Sequence, residues 1–140
     1  MTDPTIRTHD EAVKAAVAAV GRPTGLAEAP DGGLSGVLAH TGEGYYIVYP
    51  ISGGNRDGTA VDPWADITLH YQVTCVDVGP DGARWLSDQL ESALAAVAVA
   101  DRSVLFVEPT SPSGVWRDDD TAAQPLFMST PSYRIKTTPA

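Results

Sequence analysis

One segment constrains the fold more than any other. Between Asp66 and Val78, Ile67, Leu69, Tyr71, Val73 and Cys75 alternate with Thr68, His70, Gln72 and Thr74. Successive side chains of a strand point to opposite faces, so this pattern describes a sheet covered on one side and polar on the other. At about 3.3 Å per residue the strand would reach roughly 40 Å, well beyond the usual length, which leads us to expect an overhang past its own domain. Tyr45-Tyr46-Ile47-Val48-Tyr49, β-branched and aromatic between Gly44 and Pro50, reads as a second strand. It is expected to pair antiparallel with the long one across a Gly-, Asn- and Asp-rich loop, 51–65, that ends in Asp62-Pro63-Trp64. Loops of that length inside a compact domain are uncommon and are often functional.

Two helical patterns flank these strands. Thr8 and Glu11 form a capping-box spacing, predicting a helix start at Thr8. Val13, Val17 and Val20 then recur at helical intervals beside Ala16, and Gly21 and Pro23 end the pattern. Ala12, Ala15, Ala18 and Ala19 permit close packing on the other faces, and the simplest reading is a helix laid on a sheet. Gly79-Pro80-Asp81-Gly82 reads as a turn with Asp81 as cap, opening a second helix from about Ala83 to Ala98. Ala83, Leu86, Leu90, Leu94 and Val97, widened by Ala93, form its core-facing stripe. Trp85 sits about 100° off that stripe, placed either to cover a sheet edge or to meet a partner.

Elsewhere the signals are shorter. Leu34–Ala39 has weak strand character, and Val104-Leu105-Phe106-Val107 reads as a short buried strand ending at Pro109. Ser111 to Asp120 reads as a polar loop with Trp116 and Asp118-Asp119-Asp120; Leu126–Met128 and Ser132–Lys136 read as closing strands before a frayed tail. The expectation is one α+β domain spanning 1–140. Its architecture would be a single mixed, mostly antiparallel β-sheet flanked by two amphipathic helices, with a long strand hairpin and an extended loop.

Charge narrows the function classes. Asp and Glu number 18 against 9 Lys and Arg, a net charge of -9, and no basic cluster is present to neutralise phosphates. An anionic membrane surface would repel such a chain, and no apolar run approaches the roughly 20 residues that span a bilayer. Met1-Thr2-Asp3-Pro4 lacks the pattern of a secretory signal, so a cytoplasmic site of synthesis is expected. Cys75 is the only cysteine, excluding an internal disulfide and a Cys-based metal cage, and it belongs to the apolar face of its strand.

Catalytic patterns are missing. The chain has no P-loop, G-x-G-x-x-G, H-E-x-x-H or G-x-S-x-G motif, and His9, His40 and His70 lie in unrelated contexts. Three adjacent aspartates point in different directions, whereas oxygen-ligand cation sites need spaced, converging carboxylates. No cofactor, metal or catalytic residue is expected.

Several segments together carry a likeness. They are His9-Asp10-Glu11-Ala12-Val13, Tyr45-Tyr46-Ile47-Val48-Tyr49-Pro50 and Asp62-Pro63-Trp64-Ala65-Asp66. The fullest is Leu69-His70-Tyr71-Gln72-Val73-Thr74-Cys75-Val76, leading through Gly79 into Ala83-Arg84-Trp85-Leu86-Ser87-Asp88, and Tyr133–Pro139 closes the series. In this order the chain resembles the tail terminator proteins of long-tailed, siphovirus-like bacteriophages, especially those infecting actinobacteria. That resemblance implies a structural virion protein at the head-proximal end of the tail, assembled in the host cytoplasm. It would form a homo-hexameric ring on the last ring of tail tube protein, stop polymerisation, and offer a docking face to the head-closure or connector protein. DNA would pass the lumen without specific binding, and no membrane or enzymatic activity is implied. The candidate tube or subunit contacts are Asn55, Arg56, Asp57, Asp62, Trp64, Trp85 and Trp116; Trp64 serves equally well as an anchor or as a cover for the sheet edge. Asp57, Asp62 and Asp66 are candidates for an acidic lumen lining. The rival readings are another head–tail junction component, such as a head-closure or adaptor protein, and a small-molecule-binding domain using Tyr45, Tyr46, Tyr71 and Trp85.

Overall fold

In the computed structural model, which describes residues 6–30, 44–52, 54–57, 65–118 and 126–140, the long alternating segment is the central strand of the only sheet described. The helix α1 spans Ile6–Ala18, followed by β1 (Thr24–Leu26), β2 (Tyr45–Pro50), β3 (Asn55–Asp57) and β4 (Asp66–Asp77). Next come α2 (Pro80–Ala95), β5 (Arg102–Ser111), β6 (Trp116–Asp118), β7 (Leu126–Ser129) and β8 (Ser132–Pro139). The chain is an α+β protein.

The register reduces these strands to five lines. β2 and β3 both lie antiparallel to β4 on one side, with Tyr45 opposite Val76 and Asn55 opposite Thr68. From Pro50 to Asn55 that line advances five residues while β4 retreats only three, from Tyr71 to Thr68, so two extra residues are absorbed between β2 and β3. On the other side of β4, Ile67 faces Thr137 and Cys75 faces Ser129 in one unchanged register, making β8 and β7 a single line broken at Thr130-Pro131. Outside it run β5 and β6; from Arg102 to Trp116 they advance 14 residues against 11 of their partner line, from Pro139 to Met128. Irregularities at Val104/Phe106 and Pro109/Ser111 absorb two of the difference. β1 closes the other edge, parallel to β2.

This topology corrects the expected overhang: β4 is long because it is paired on both sides, and it does not project. Val73 N–H donates to Pro131 O at 3.0 Å and Ile51 N–H to His70 O at 3.0 Å, filling the intervals between its partners. β5 is likewise not a short buried strand. It runs through Pro109, which an edge strand tolerates, and Leu105 is 52% exposed beside the irregularity. The expected loops 51–65 and 111–120 contain β3 and β6, each extending a neighbouring ladder by three residues.

Both helices lie on one face. Val13 and Val17 of α1 and Leu86, Leu90 and Leu94 of α2 pack on the odd-numbered residues Ile67 to Cys75, with Tyr46, Val48, Tyr133 and Ile135. The opposite face has a smaller cluster of Tyr45, Ile47, Val76 and Leu126. Cys75 is wholly buried, and burial pushes its thiol well above the ordinary range.

Helix boundaries differ from the sequence reading in ways that packing explains. α1 begins at Ile6, placing Thr8 inside the first turn, so the capping box does not set the start; Glu11 instead accepts from Arg7 at 3.3 Å across one exposed turn. Ile6 packs against the core, and buried His9 extends the four-residue series of Val13 and Val17. Gly21, at φ 99°, ends this region in a conformation that favours glycine. α2 begins three residues before the expected Ala83, with Gly79 as N-cap and Pro80 at the start, where its missing N–H costs nothing. Asp81 therefore lies in the first turn, and Asp77 Oδ1 holds the preceding turn by accepting from Val78 N–H at 2.6 Å and Gly79 N–H at 3.4 Å.

Candidate functional surfaces

Two antiparallel arms turn back at opposite ends of the sheet. The first, β2–β3 into β4, reverses between Asp57 and Asp66, which face each other across the ladder. The second, β5–β6 into β7–β8, reverses between Asp118 and Leu126, next to the far end of β4, where Phe127 faces Asp77. The two ladder ends are thus separated by the length of β4, about 36 Å at the usual rise per residue.

This geometry sorts the candidate contact residues. Asn55, Arg56, Asp57 and Asp66 lie together at the first pole. Trp116 lies at the second, in the row Tyr45, Val76, Met128, Trp116 that crosses the sheet on its helix-free face, and it is 47% exposed. Trp85 belongs to neither pole. It stands on the outer side of α2, 41% exposed, with the Arg22 guanidinium 4.8 Å from its ring centroid. Asp62 and Trp64 lie outside the described residues, as do His40, the Leu34–Ala39 segment, Asp119 and Asp120.

Charge at the first pole is partly matched within the chain. Asp66 lies 3.8 Å from Lys136 on the neighbouring β8, both side chains mostly buried. Two rows further along the same face Arg134 pairs with Glu108 and stacks 5.2 Å from the Phe106 centroid. Behind this face, Arg102 Nη2 donates to Ala65 O at 2.6 Å and to Thr137 O at 3.1 Å, while its Nε donates to Thr137 Oγ1 at 2.8 Å. The same hydroxyl meets His9 Nε2 at 2.8 Å. None of Arg102, Thr137 and His9 carries a sequence signal for this cluster; its members are far apart in the chain, and only the sheet register brings them together.

The aromatic residues proposed for a small-molecule pocket do not converge. Tyr46 and Tyr71 are core side chains whose hydroxyls donate to Leu86 O and Asp10 Oδ1, each at 2.7 Å. Tyr45 lies on the opposite face and Trp85 on the outer side of α2. An open groove of about 510 Å³ between α1 and α2 is lined by alanines, with Val20, Gln89 and Ser92, and offers apolar contact without reactive groups. Among the described residues no three His, Cys, Asp or Glu side chains gather as a metal site, and no helix is long and apolar enough to cross a membrane.

No protein-family model matches this chain, and comparison with curated proteins finds no relative.

Proposed function

We propose that this chain is a structural ring component of a phage tail, the terminator that caps the tube and receives the head connector. The observation that carries the reading is the pair of ladder ends, Asp57 opposite Asp66 and Asp118 opposite Leu126, about 36 Å apart on one sheet. A terminator needs two different contact sets on opposite sides, one for the last tube ring and one for the connector. A central strand paired on both sides keeps two such sets at a fixed separation. In this reading Asn55, Arg56, Asp57, Asp62 and Trp64 serve one set and Trp116 the other. Neighbouring copies meet through heterologous contacts, which close into a ring only at a fixed rotation. The protein acts through surfaces and catalyses no reaction.

The net charge of -9 supports the same reading, because DNA must pass the ring without adhering. Asp57, Asp62 and Asp66 are the candidates for an acidic lining, and of these Asp66 lies 3.8 Å from Lys136. Another junction protein, such as a head-closure or adaptor protein, is the second reading. An open mixed sheet with both helices on one face favours the terminator over the barrel or helical designs expected there.

The test is electron microscopy of the purified protein with its solution mass by light scattering, followed by addition to purified tail tubes. Six-fold rings with a hole wide enough for duplex DNA, and tubes that stop elongating once capped, are the expected results. A monomer that leaves tube growth unchanged would sink the proposal.

A further inference from the structure

The first pole is weakly held by its own ladder. Among the described residues β3 contributes three residue pairs, and the two-residue register shift after β2 separates it from the main body of the sheet. Gly54 lies within that shift at φ 87°, and a Cβ there would approach Leu69 Cδ2 and Ile6 Cδ1 to 2.9 Å. Short terminal ladders of this kind open readily unless something else ties them down.

Arg102 supplies such a tie. Its guanidinium reaches Ala65 O, Thr137 O and Thr137 Oγ1, so one side chain joins the start of β5, the end of β8 and the residue leading into β4. Thr137 is wholly buried and its hydroxyl also contacts His9, which extends the connection to α1. A planar fork with donors in fixed directions suits three acceptors on two segments; a lysine ammonium, a single charge on a flexible stem, does not reproduce it.

We infer that Arg102 is a positioning residue for the first pole. It fixes where the chain re-enters the sheet at Ala65, and so sets the direction in which Asn55–Asp57 are presented to a partner. The partner identity rests on the terminator reading; the mechanical role of Arg102 does not.

The experiment compares wild type, Arg102→Gln and Arg102→Lys by site-resolved amide hydrogen exchange, with tube capping as a second readout. Amides of 55–57 and 66–68 are expected to exchange about tenfold to a hundredfold faster in Arg102→Gln, the range for lost charge-assisted hydrogen bonds. Amides of 71–75 should change less than about twofold, because the central ladder does not depend on the tie. Arg102→Lys should restore little of the protection, and it serves as the test protein if Arg102→Gln does not fold. Unchanged exchange at 55–57, a uniform rise through 71–75, or full rescue by lysine would each overturn the inference. Local loosening with undiminished capping would overturn the claim that the pole's direction matters to the partner. If wild-type protein caps no tubes, the terminator proposal fails, and the exchange pattern alone decides the role of Arg102.

Discussion

Alkaline pH should unfold this protein through its buried phenols and thiol. Tyr46, Tyr71 and Tyr133 are nearly inaccessible and Cys75 is fully so. Burial is the main cause that raises all four above their ordinary values of 10.0 for tyrosine and 9.0 for cysteine, taking Tyr133 to about 12. For Tyr71 the hydrogen bond to the Asp10 carboxylate adds to the effect, because a phenolate there would face a negative charge. A phenol or thiol is neutral below its pKa, so the native state keeps protons that the unfolded chain releases. The resulting stability is fully present below about pH 9 and is lost as pH rises toward the native values.

Around pH 11 an unfolded tyrosine is about one unit past its pKa, and each phenol that stays protonated in the native state costs about 1.4 kcal/mol. Cys75, about two units past, costs about 2.7 kcal/mol. The four groups together cost about 7 kcal/mol, comparable with the whole stability of a typical domain. With a urea m-value of about 2 kcal/mol/M, the unfolding midpoint should fall by about 3.5 M between neutral pH and pH 11. The assay is urea unfolding followed by circular dichroism at constant ionic strength. Lysine titration interferes little, since Lys14 and Lys136 are the only lysines. Tyr71→Phe should remove about 1.4 kcal/mol of the loss around pH 11. A midpoint that moves by less than about 0.5 M by pH 11 would refute the reasoning, as would an unaltered pH slope in Tyr71→Phe.

Leu90→Ala should destabilise the protein by about 2–5 kcal/mol in urea melts, because a fully buried leucine between α2 and β4 leaves a cavity when truncated. Gly54→Val should be destabilising by more than about 1 kcal/mol, combining a φ of 87° with contact against Leu69 and Ile6; unchanged stability would remove the register shift as a structural constraint. On the terminator reading, Asp57→Asn combined with Asp62→Asn should slow DNA ejection from those reconstituted particles that still assemble; ejection at the wild-type rate would exclude these carboxylates from the lining.

The parts of the fold that were legible in the sequence are those whose pattern is set by a buried face. The alternation from Ile67 to Cys75 identifies the helix-covered face of β4, and the Tyr45–Tyr49 run identifies its antiparallel neighbour. The leucine stripe of α2 was equally plain. What stayed hidden depends on partners distant in sequence. β3 and β6 have no apolar period of their own and form because β4 and β7 offer them an open ladder. The irregularities in β5 break its alternation, so only its apolar centre read as strand. Ile6 and His9 hold the first turn of the described α1 against the sheet, a contact that the Thr8–Glu11 spacing does not encode. The contact between Arg102 and Ala65 spans 37 residues, and no spacing rule connects them.

A common mechanical feature links the two poles. Each lies beyond a break in strand register, and at each break a serine hydroxyl replaces part of the missing ladder. At the first, Ser52 Oγ accepts from His70 N–H at 3.2 Å and from Gly54 N–H at 3.4 Å. At the second, Ser113 Oγ accepts from Thr130 N–H at 2.9 Å and donates to Gly114 O at 2.9 Å. Neither serine belongs to the hydrophobic core, so removing either hydroxyl leaves the helix-covered face packed as before. The serine bonds at these breaks contribute about 1 kcal/mol each, adding to the Arg102 tie at the first pole, while the separation between the poles follows the length of β4. In the proposed ring, such a subunit would adjust the angle of one contact set without moving the other. Ser52→Ala should accordingly loosen the amides of 55–57 and leave those of 116–118 unchanged, and Ser113→Ala should do the reverse. Equal loosening at both poles from either substitution would mean that the sheet responds as one unit and that the poles are not independently set.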